Sequence, residues 1–452
     1  MSEMISLNQD GTDNTKRLYF LAQMARYWIL TLALLSVVFY MVFGAVEFSI
    51  WQNAQFTMKL EMLFCVAFFL LNAGGGQLSR KGIASFGKCL LRNRLNTILL
   101  IIWLLSVSIS FALSPAVEMM NMLGLWRFLE TLTHLVFFFC LYGVFRKKQI
   151  NLRFLFGGIA ASSLTLIVYF FWFFLLRDNS EFGDVDLLLH KCLPLFCNIR
   201  HAGYQVTAAI MFYCAFLSLG EGRWPANPKQ NFLNIFILTW LIAYLCFLGG
   251  RMSMISVLLG FSLLILTLHH KKMPLKSIIG VMIISIGGGI LLCELLSYYP
   301  WNGLFGSIQR TVETDSINEL SSNRLAVWKA TFNPILENLW FGLGPQGYYF
   351  MPGRVFGVQP HNVILQFLVE WGVIGSVSFI WLLLRLFIRG LRFNLQPKAV
   401  NPYTLSAGAC ICTLTLNALT DGLYYHTQPS VYLAIAFALW ATPPDETENF
   451  ET

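Results

Sequence analysis

Residues 275–297 read LKSIIGVMIISIGGGILLCELLS. Crossing the roughly 30 Å hydrocarbon layer of a bilayer takes about 20 mostly apolar residues in a helix, and this run is long enough. Equivalent runs recur along nearly the whole chain. Working outward from this one gives twelve candidate spans, near 28–48, 56–75, 96–114, 125–145, 154–176, 203–220, 231–249, 252–269, 275–297, 361–388, 402–421 and 428–442. The fold expected is therefore all-α and polytopic, with about 12 transmembrane helices over residues 28–442. Polar tails cover 1–27 and 443–452.

Composition agrees. The 452 residues are 56% hydrophobic and 12% charged, whereas soluble domains carry roughly 25% charged residues. A chain this long would otherwise divide into two or three soluble domains; one membrane-embedded bundle is the simpler reading. The first 27 residues hold no apolar stretch followed by a small-residue cleavage site, so the first span itself serves as the insertion signal.

The net charge of +8 does not point to nucleic acid, because the excess sits in short loops between spans, where Lys and Arg set topology. With the N-terminus inside, one side takes Lys16/Arg17/Arg26, Arg80/Lys81/Lys88/Arg92/Arg94, Arg146/Lys147/Lys148/Arg153, Arg223/Lys229, Lys271/Lys272/Lys276 and Arg385/Arg389/Arg392/Lys398. That is most of the 31 basic residues, and it places both termini in the cytoplasm. Of the ten cysteines most lie inside spans, where cysteine is a small hydrophobe, and no spacing resembles a zinc site. Cys192 and Cys197 share an expected external loop and could pair in an oxidising compartment.

Two external loops follow from this topology, 177–202 and 298–360. The second, between spans nine and ten, is too long for a simple turn. It carries helical stretches around 318–338 and a Gly/Pro-rich part from Gly342 to Gly357. Loops of that size on a rigid bundle usually bind or gate something.

On this side, poor in cations, Arg200, Arg251 and Arg324 stand out. Each has an ordinary explanation, a side chain snorkelling to lipid phosphates. Three together suit a diphosphate, because guanidinium is permanently charged and grips phosphate oxygens with a planar fork. Fixed arginines there would meet the charge of a leaving diphosphate, the task that a divalent metal performs elsewhere. Glu313, Asp315 and Glu319 come nearest to an acidic cluster, and their spacing makes no metal site; no metal or other cofactor is expected.

His361 follows Pro360 where the long loop enters span ten. Proline favours a helix's first turn, which would set His361 at the membrane boundary. The positive end of the helix dipole would keep its ring neutral and able to accept a proton. Glu370 lies further along the span, on the face of Gln366 and roughly opposite His361, and reads as structural glue. Asp421, at the external end of span eleven, is a weaker candidate. Trp340-Phe341 and Tyr348-Tyr349-Phe350 could stack on sugars or form an interfacial belt.

Three blocks in this order resemble the O-antigen ligase/polymerase superfamily of bacterial envelope enzymes. They are Gly250-Arg251; Asn323-Arg324-Leu325-Ala326-Val327-Trp328 with Asn333-Pro334 and Gly342-Leu343-Gly344; and Pro360-His361-Asn362 leading into Glu370-Trp371-Gly372 and Gly375. The likeness covers roughly 195–385, and the layout looks like the ligase. It implies a metal-independent glycosyltransferase of the GT-C type in the bacterial inner membrane, with an undecaprenyl-diphosphate-linked glycan as donor. Arg251 and Arg324 would hold the diphosphate, with Arg200 as a further candidate. His361 would position or deprotonate the acceptor hydroxyl, with Asn362, His201 and Asp421 around it. Arg200-His201 has no clean ligase counterpart; it resembles a stretch of some polymerases and protein oligosaccharyltransferases. The acceptor is thus lipid A–core, another glycan chain or a protein hydroxyl. A lipid or glycan transporter is the alternative from another class, although such proteins place ionisable groups near the bilayer midplane.

Overall fold

The computed structural model describes residues 2–43, 50–73, 93–114, 122–176, 199–217, 228–271, 273, 275–296, 303–351, 353–355, 357, 359–396 and 401–443, with backbone alone at 2–19, 42–43, 50–53, 73, 170–176, 199–201 and 228. Cys192 and Cys197, and most of the 177–202 loop, lie outside the described residues.

Among the described residues the chain is helix and turn, with no strand. The helices are α1 (Ser2–Phe43), α2 (Ile50–Ala73), α3 (Arg94–Ala112), α4 (Met122–Arg146), α5 (Leu152–Leu176), α6 (Ile199–Tyr213, extended by a 3-10 turn over Cys214–Leu217), α7 (Pro228–Phe247), α8 (Arg251–His270) and α9 (Leu275–Leu296). Then come α10 (Gly303–Val312), α11 (Ile317–Leu320), α12 (Arg324–Glu337), α13 (Gly347–Phe350), α14 (Val363–Asn394), α15 (Pro402–Ala418) and α16 (Thr427–Trp440).

Nine of the described helices, α1–α5, α7–α9 and α14, are long and apolar enough to cross a membrane. The remaining three expected spans coincide with α6, α15 and α16, which are shorter. At about 1.5 Å per residue, the 17 residues of α15 and 14 of α16 reach roughly 25 and 21 Å, less than the ~30 Å layer. These short helices are the inside of the bundle. Every α16 residue except Ser430 is buried, and most of α15 is as well. They need not meet lipid along their length, and some of their polar groups bond one another inside the bundle. Gln205 of α6 donates to Ser163 at 3.0 Å, and its carbonyl accepts from Gln428 at 3.3 Å and from the Tyr432 hydroxyl. The outer helices present Leu, Ile and Phe outward instead, for example Leu70, Ile98, Leu105, Leu291 and Leu295.

The basic segments collect at one end of the bundle. Lys271 donates to the Gln396 carbonyl, Arg385 to Asn96 at 2.6 Å, Arg389 to the Tyr142 hydroxyl at 3.4 Å and Lys147 to Asn72 at 3.0 Å. These contacts join segments assigned to one side by charge alone. The start of α8, the end of α9, the start of α14 and the end of α15 lie at the other end, with α10–α13 over them.

Candidate active site

The site is built where α14 begins. The sequence places Pro360 in the first turn, but the helix starts at Val363. His361 takes a left-handed conformation, φ 52°, which no helical residue adopts and which costs a non-glycine residue about 1–3 kcal/mol. Asn362 then caps the helix, its side-chain oxygen accepting from the Ile364 and Leu365 amides at 2.9 and 3.1 Å. That removes two of the orphan donors at a helix start. The Asn362 amide nitrogen donates to the Leu419 carbonyl at 2.9 Å, which ties α14 to the chain leaving α15. Two residues beyond Leu419 is Asp421.

Asp421 is buried and shared. One carboxylate oxygen accepts from His361 Nδ1 at 3.0 Å and from the Gly422 amide at 2.9 Å; the other stands 3.6 Å from Arg324 Nη2. Arg324 is placed by a second left-handed residue, Asn323, φ 62°, a conformation asparagine tolerates better than most. The Asn323 carboxamide accepts from Asn318 at 2.9 Å, so Arg324 opens α12. Trp328, one turn on, donates to the Pro360 carbonyl at 3.0 Å. Arg324, His361 and Asp421 are thus brought together from three separate segments.

Arg251, the first residue of α8, donates to Thr311 Oγ1 at 3.0 Å and to the Leu320 carbonyl at 2.9 Å. It is fastened to the segment that leads into Arg324, not to Asp421. Two residues later Ser253 accepts from Asn417 at 3.0 Å, so α8 is braced on the last turn of α15, just ahead of Asp421. Arg200 and His201 open α6, and their side chains lie outside the described residues.

The motif glycines have a physical role. Helix α14 is broken at Gly372, φ 65° and ψ −173°, and the stretch Leu339–Gly344 docks into the break. The Leu343 and Gly344 amides donate to the Val369 and Glu370 carbonyls at 2.6 and 3.0 Å, and the Val373 and Ile374 amides donate to Leu339 and Trp340 at 2.8 and 3.4 Å. Ser106 of α3 closes on the Trp371 carbonyl at 3.1 Å, and Ser110 on that of Glu370. A Cβ on Gly342 would stand 2.6 Å from the Val369 oxygen, so this close approach excludes a side chain. This loop is therefore hydrogen-bonded directly into a membrane helix.

Beneath the site a cavity of about 160 Å³ runs between α3, α4, α14 and α16. Its walls are mostly Leu, Phe and Trp, with Arg127, Gln366 and Glu370 near one end and Asn96 near the other. Arg251, Arg324 and His361 do not line it, so the three expected residues do not surround this cavity. Gln366 and Tyr424, which do line it, lie five residues after His361 and three after Asp421. Glu370 accepts from Gln366 at 3.4 Å, the shared face read from the sequence. Of the aromatics, Tyr348 is buried, Trp340 is exposed and Tyr349 lies under Arg354 at 4.4 Å.

Sequence reasoning passed over a buried ionic cluster on α4. Arg127 pairs with Glu130 at 2.6 Å and donates to the Tyr424 carbonyl at 2.8 Å. His134 contacts Glu61 of α2 at 2.9 Å and Glu130 at 3.5 Å, and Thr427 donates to Glu130. The signal was available: Arg127, Glu130 and His134 recur at i, i+3 and i+7 within an apolar run, on one helix face. Such residues inside a span face protein, not lipid.

No curated protein matches the chain. The family model described as O-antigen ligase matches residues 236–380, from α7 to the middle of α14. That stretch holds Arg251, Arg324, His361 and the docked Gly372 break, so over residues 236–380 the chain is similar to the O-antigen ligase family.

Proposed function

We propose that the protein is a metal-independent glycosyltransferase that moves a glycan from undecaprenyl diphosphate to lipid A–core at the periplasmic face of the bacterial inner membrane. Its termini would then be cytoplasmic, with the basic end of the bundle inside. The observation that carries this reading is the Asp421 carboxylate held between His361 Nδ1 and the Arg324 guanidinium.

Asp421 accepts from Nδ1–H of His361, which fixes the tautomer and leaves the Nε2 lone pair as the base. The acceptor hydroxyl loses its proton to Nε2 as its oxygen bonds to the anomeric carbon. The bond from that carbon to the diphosphate oxygen breaks, and the polyprenyl diphosphate leaves with the electron pair. The charge gathering on it would be met by Arg324 and Arg251, whose forks suit phosphate oxygens. Attack opposite the leaving group inverts the anomeric centre. The cavity between α3, α4, α14 and α16, apolar along most of its length, would take part of the polyprenyl chain.

The test is transfer by purified protein, in vesicles, from a lipid-linked donor to lipid A–core in the presence of a chelator. His361→Ala should insert normally and lose on the order of 10²–10⁴-fold in rate, the usual share of a general base. Wild-type turnover in that variant would remove His361 from the reaction. The envelope of a deletion strain identifies the acceptor: lipid-linked polymer accumulates without a ligase, single repeat units on core appear without a polymerase, and a protein loses its glycan if the acceptor is protein.

A further inference from the structure

Helix α10 has two unlike faces. Its buried face, Gly303, Gly306 and Ser307, is fastened to the bundle. The Leu304 and Phe305 amides donate to the Glu294 carboxylate at the end of α9, at 2.9 and 3.3 Å, so an anion caps the helix start where its dipole favours one. Arg310 and Ser307 reach the Gly249 carbonyl between α7 and α8, at 3.3 and 3.5 Å. The other face is apolar and uncovered. Phe305, Ile308 and Val312 follow one another at helical spacing with 64, 50 and 78% of their surface exposed, and Ile317 at the start of α11 is 74% exposed.

We propose that α10 and the start of α11 form a strap lying in the boundary layer of the bilayer, with Phe305, Ile308, Val312 and Ile317 set among the lipid chains. Three observations choose lipid as the occupant. The outward band of α9 includes Leu291 and Leu295, and the Glu294 cap puts Phe305 directly beside the end of that band, so the surface is continuous with one that already faces lipid. The apolar stripe is flanked by Gln309 and Glu313, whose side chains bond each other at 2.7 Å, the division of an interfacial helix with one wet side. The fastened face also fixes the strap across the mouth of the bundle, where the boundary must lie if α8 and α9 cross the membrane.

The consequence reaches the site. Thr311 of α10 and the Leu320 carbonyl of α11 hold the Arg251 guanidinium. A strap seated in lipid sets the depth of that group at the level of the headgroup phosphates. This contact with the membrane does not depend on which reaction the protein performs.

The test uses the full chain with photoreactive p-benzoylphenylalanine in three separate variants, Ile308→p-benzoylphenylalanine, Val312→p-benzoylphenylalanine and Glu313→p-benzoylphenylalanine. Each is reconstituted in vesicles of phosphatidylethanolamine and phosphatidylglycerol, irradiated and weighed by mass spectrometry. Glu313 is adjacent in sequence to Val312 but about 100° around the helix. Phospholipid adducts at 308 and 312, with several-fold lower yield at 313, are expected. Adducts absent from 308 and 312, equal at all three positions, or replaced there by crosslinks to a second copy would overturn the proposal.

Discussion

Asp421 is the residue on which the proposed site turns, and it is also the one whose role was hardest to see in the sequence. His361 and Arg324 sit in short, recognisable runs, whereas Asp421 lies 60 positions beyond His361, on a turn after another helix, so only tertiary packing joins them. Its negative charge does two things: it orients the imidazole, and it stands against one edge of the Arg324 guanidinium. Asp421→Asn separates these from mere packing. If asparagine presents its N–H₂ to Nδ1, the ring proton moves to Nε2 and the base is lost. Transfer should fall by an amount on the order of the 10²–10⁴-fold general-base contribution, with donor affinity little changed; a fall in donor affinity alone, with turnover intact, would make Asp421 a diphosphate-site residue only. Arg324→Lys keeps the charge but not the fork. Losing a charge-assisted hydrogen bond is worth about 1.5–3 kcal/mol, so transfer should drop roughly 10- to 100-fold, read as kcat/KM for the lipid-linked donor. Unchanged kcat/KM would reduce Arg324 to a point charge.

At the scale of elements, the apolar runs were legible because a bilayer imposes a length and a composition on anything that crosses it. Nine of the twelve fall on described helices long and apolar enough to cross a membrane, and the other three fall on shorter helices. What the runs could not reveal was which helices would be short and interior, because burial against protein and burial against lipid select the same side chains. Nor could they reveal the break in α14. Residues 361–388 read as one continuous span, and the residues either side of Gly372 are as apolar as any helix interior. The only trace was the pair of motifs Gly342-Leu343-Gly344 and Glu370-Trp371-Gly372, which looked like separate family marks and are the two halves of one backbone junction. Gly342→Ala should therefore be costly. The residue is at φ 71° and its new methyl would meet the Val369 oxygen at 2.6 Å, so the left-handed strain of about 1–3 kcal/mol comes on top of a clash. A lower melting temperature in detergent and weaker transfer are expected. Gly280→Ala, a helical position with nothing within 4 Å of the added Cβ, is the control and should be neutral or slightly stabilising, since alanine is the better helix former. Equal melting temperatures for the two variants would mean that the docked loop carries no strain.

Across the whole molecule, polar contacts are concentrated at two levels. The ring of basic residues marks one end, and the site with its overlying helices marks the other; between them the outer helices are almost wholly apolar. The cluster of Arg127, Glu130, His134 and Glu61 breaks that pattern. It joins α2 to α4, and through Thr427 and the Tyr424 carbonyl it reaches α16 and the turn that follows Asp421. Charge pattern and hydropathy reading favour loops and boundaries, which is why a cluster inside a span escaped them. Its physical task is to fix the register of the helices around the cavity, directly beneath the turn that presents Asp421. Glu130 is the shared member, contacting Arg127, His134 and Thr427. With side-chain exposures of 11 and 6%, Arg127 and Glu130 meet little solvent that could replace either partner. Removing one member of such a pair typically costs about 3–5 kcal/mol, because a buried charge is left uncompensated, whereas removing both leaves no such charge. Glu130→Ala should accordingly lower the melting temperature well below that of the double variant Arg127→Ala/Glu130→Ala. Transfer should be weakened in both, since both lose the bond that holds Tyr424 and the Asp421 turn, or the partner that orients it. If the single and double variants melt together, Arg127 left without Glu130 carries no penalty of an uncompensated buried charge, and that role of the pair is refuted; Arg127→Ala alone then closes the cycle and gives the coupling energy.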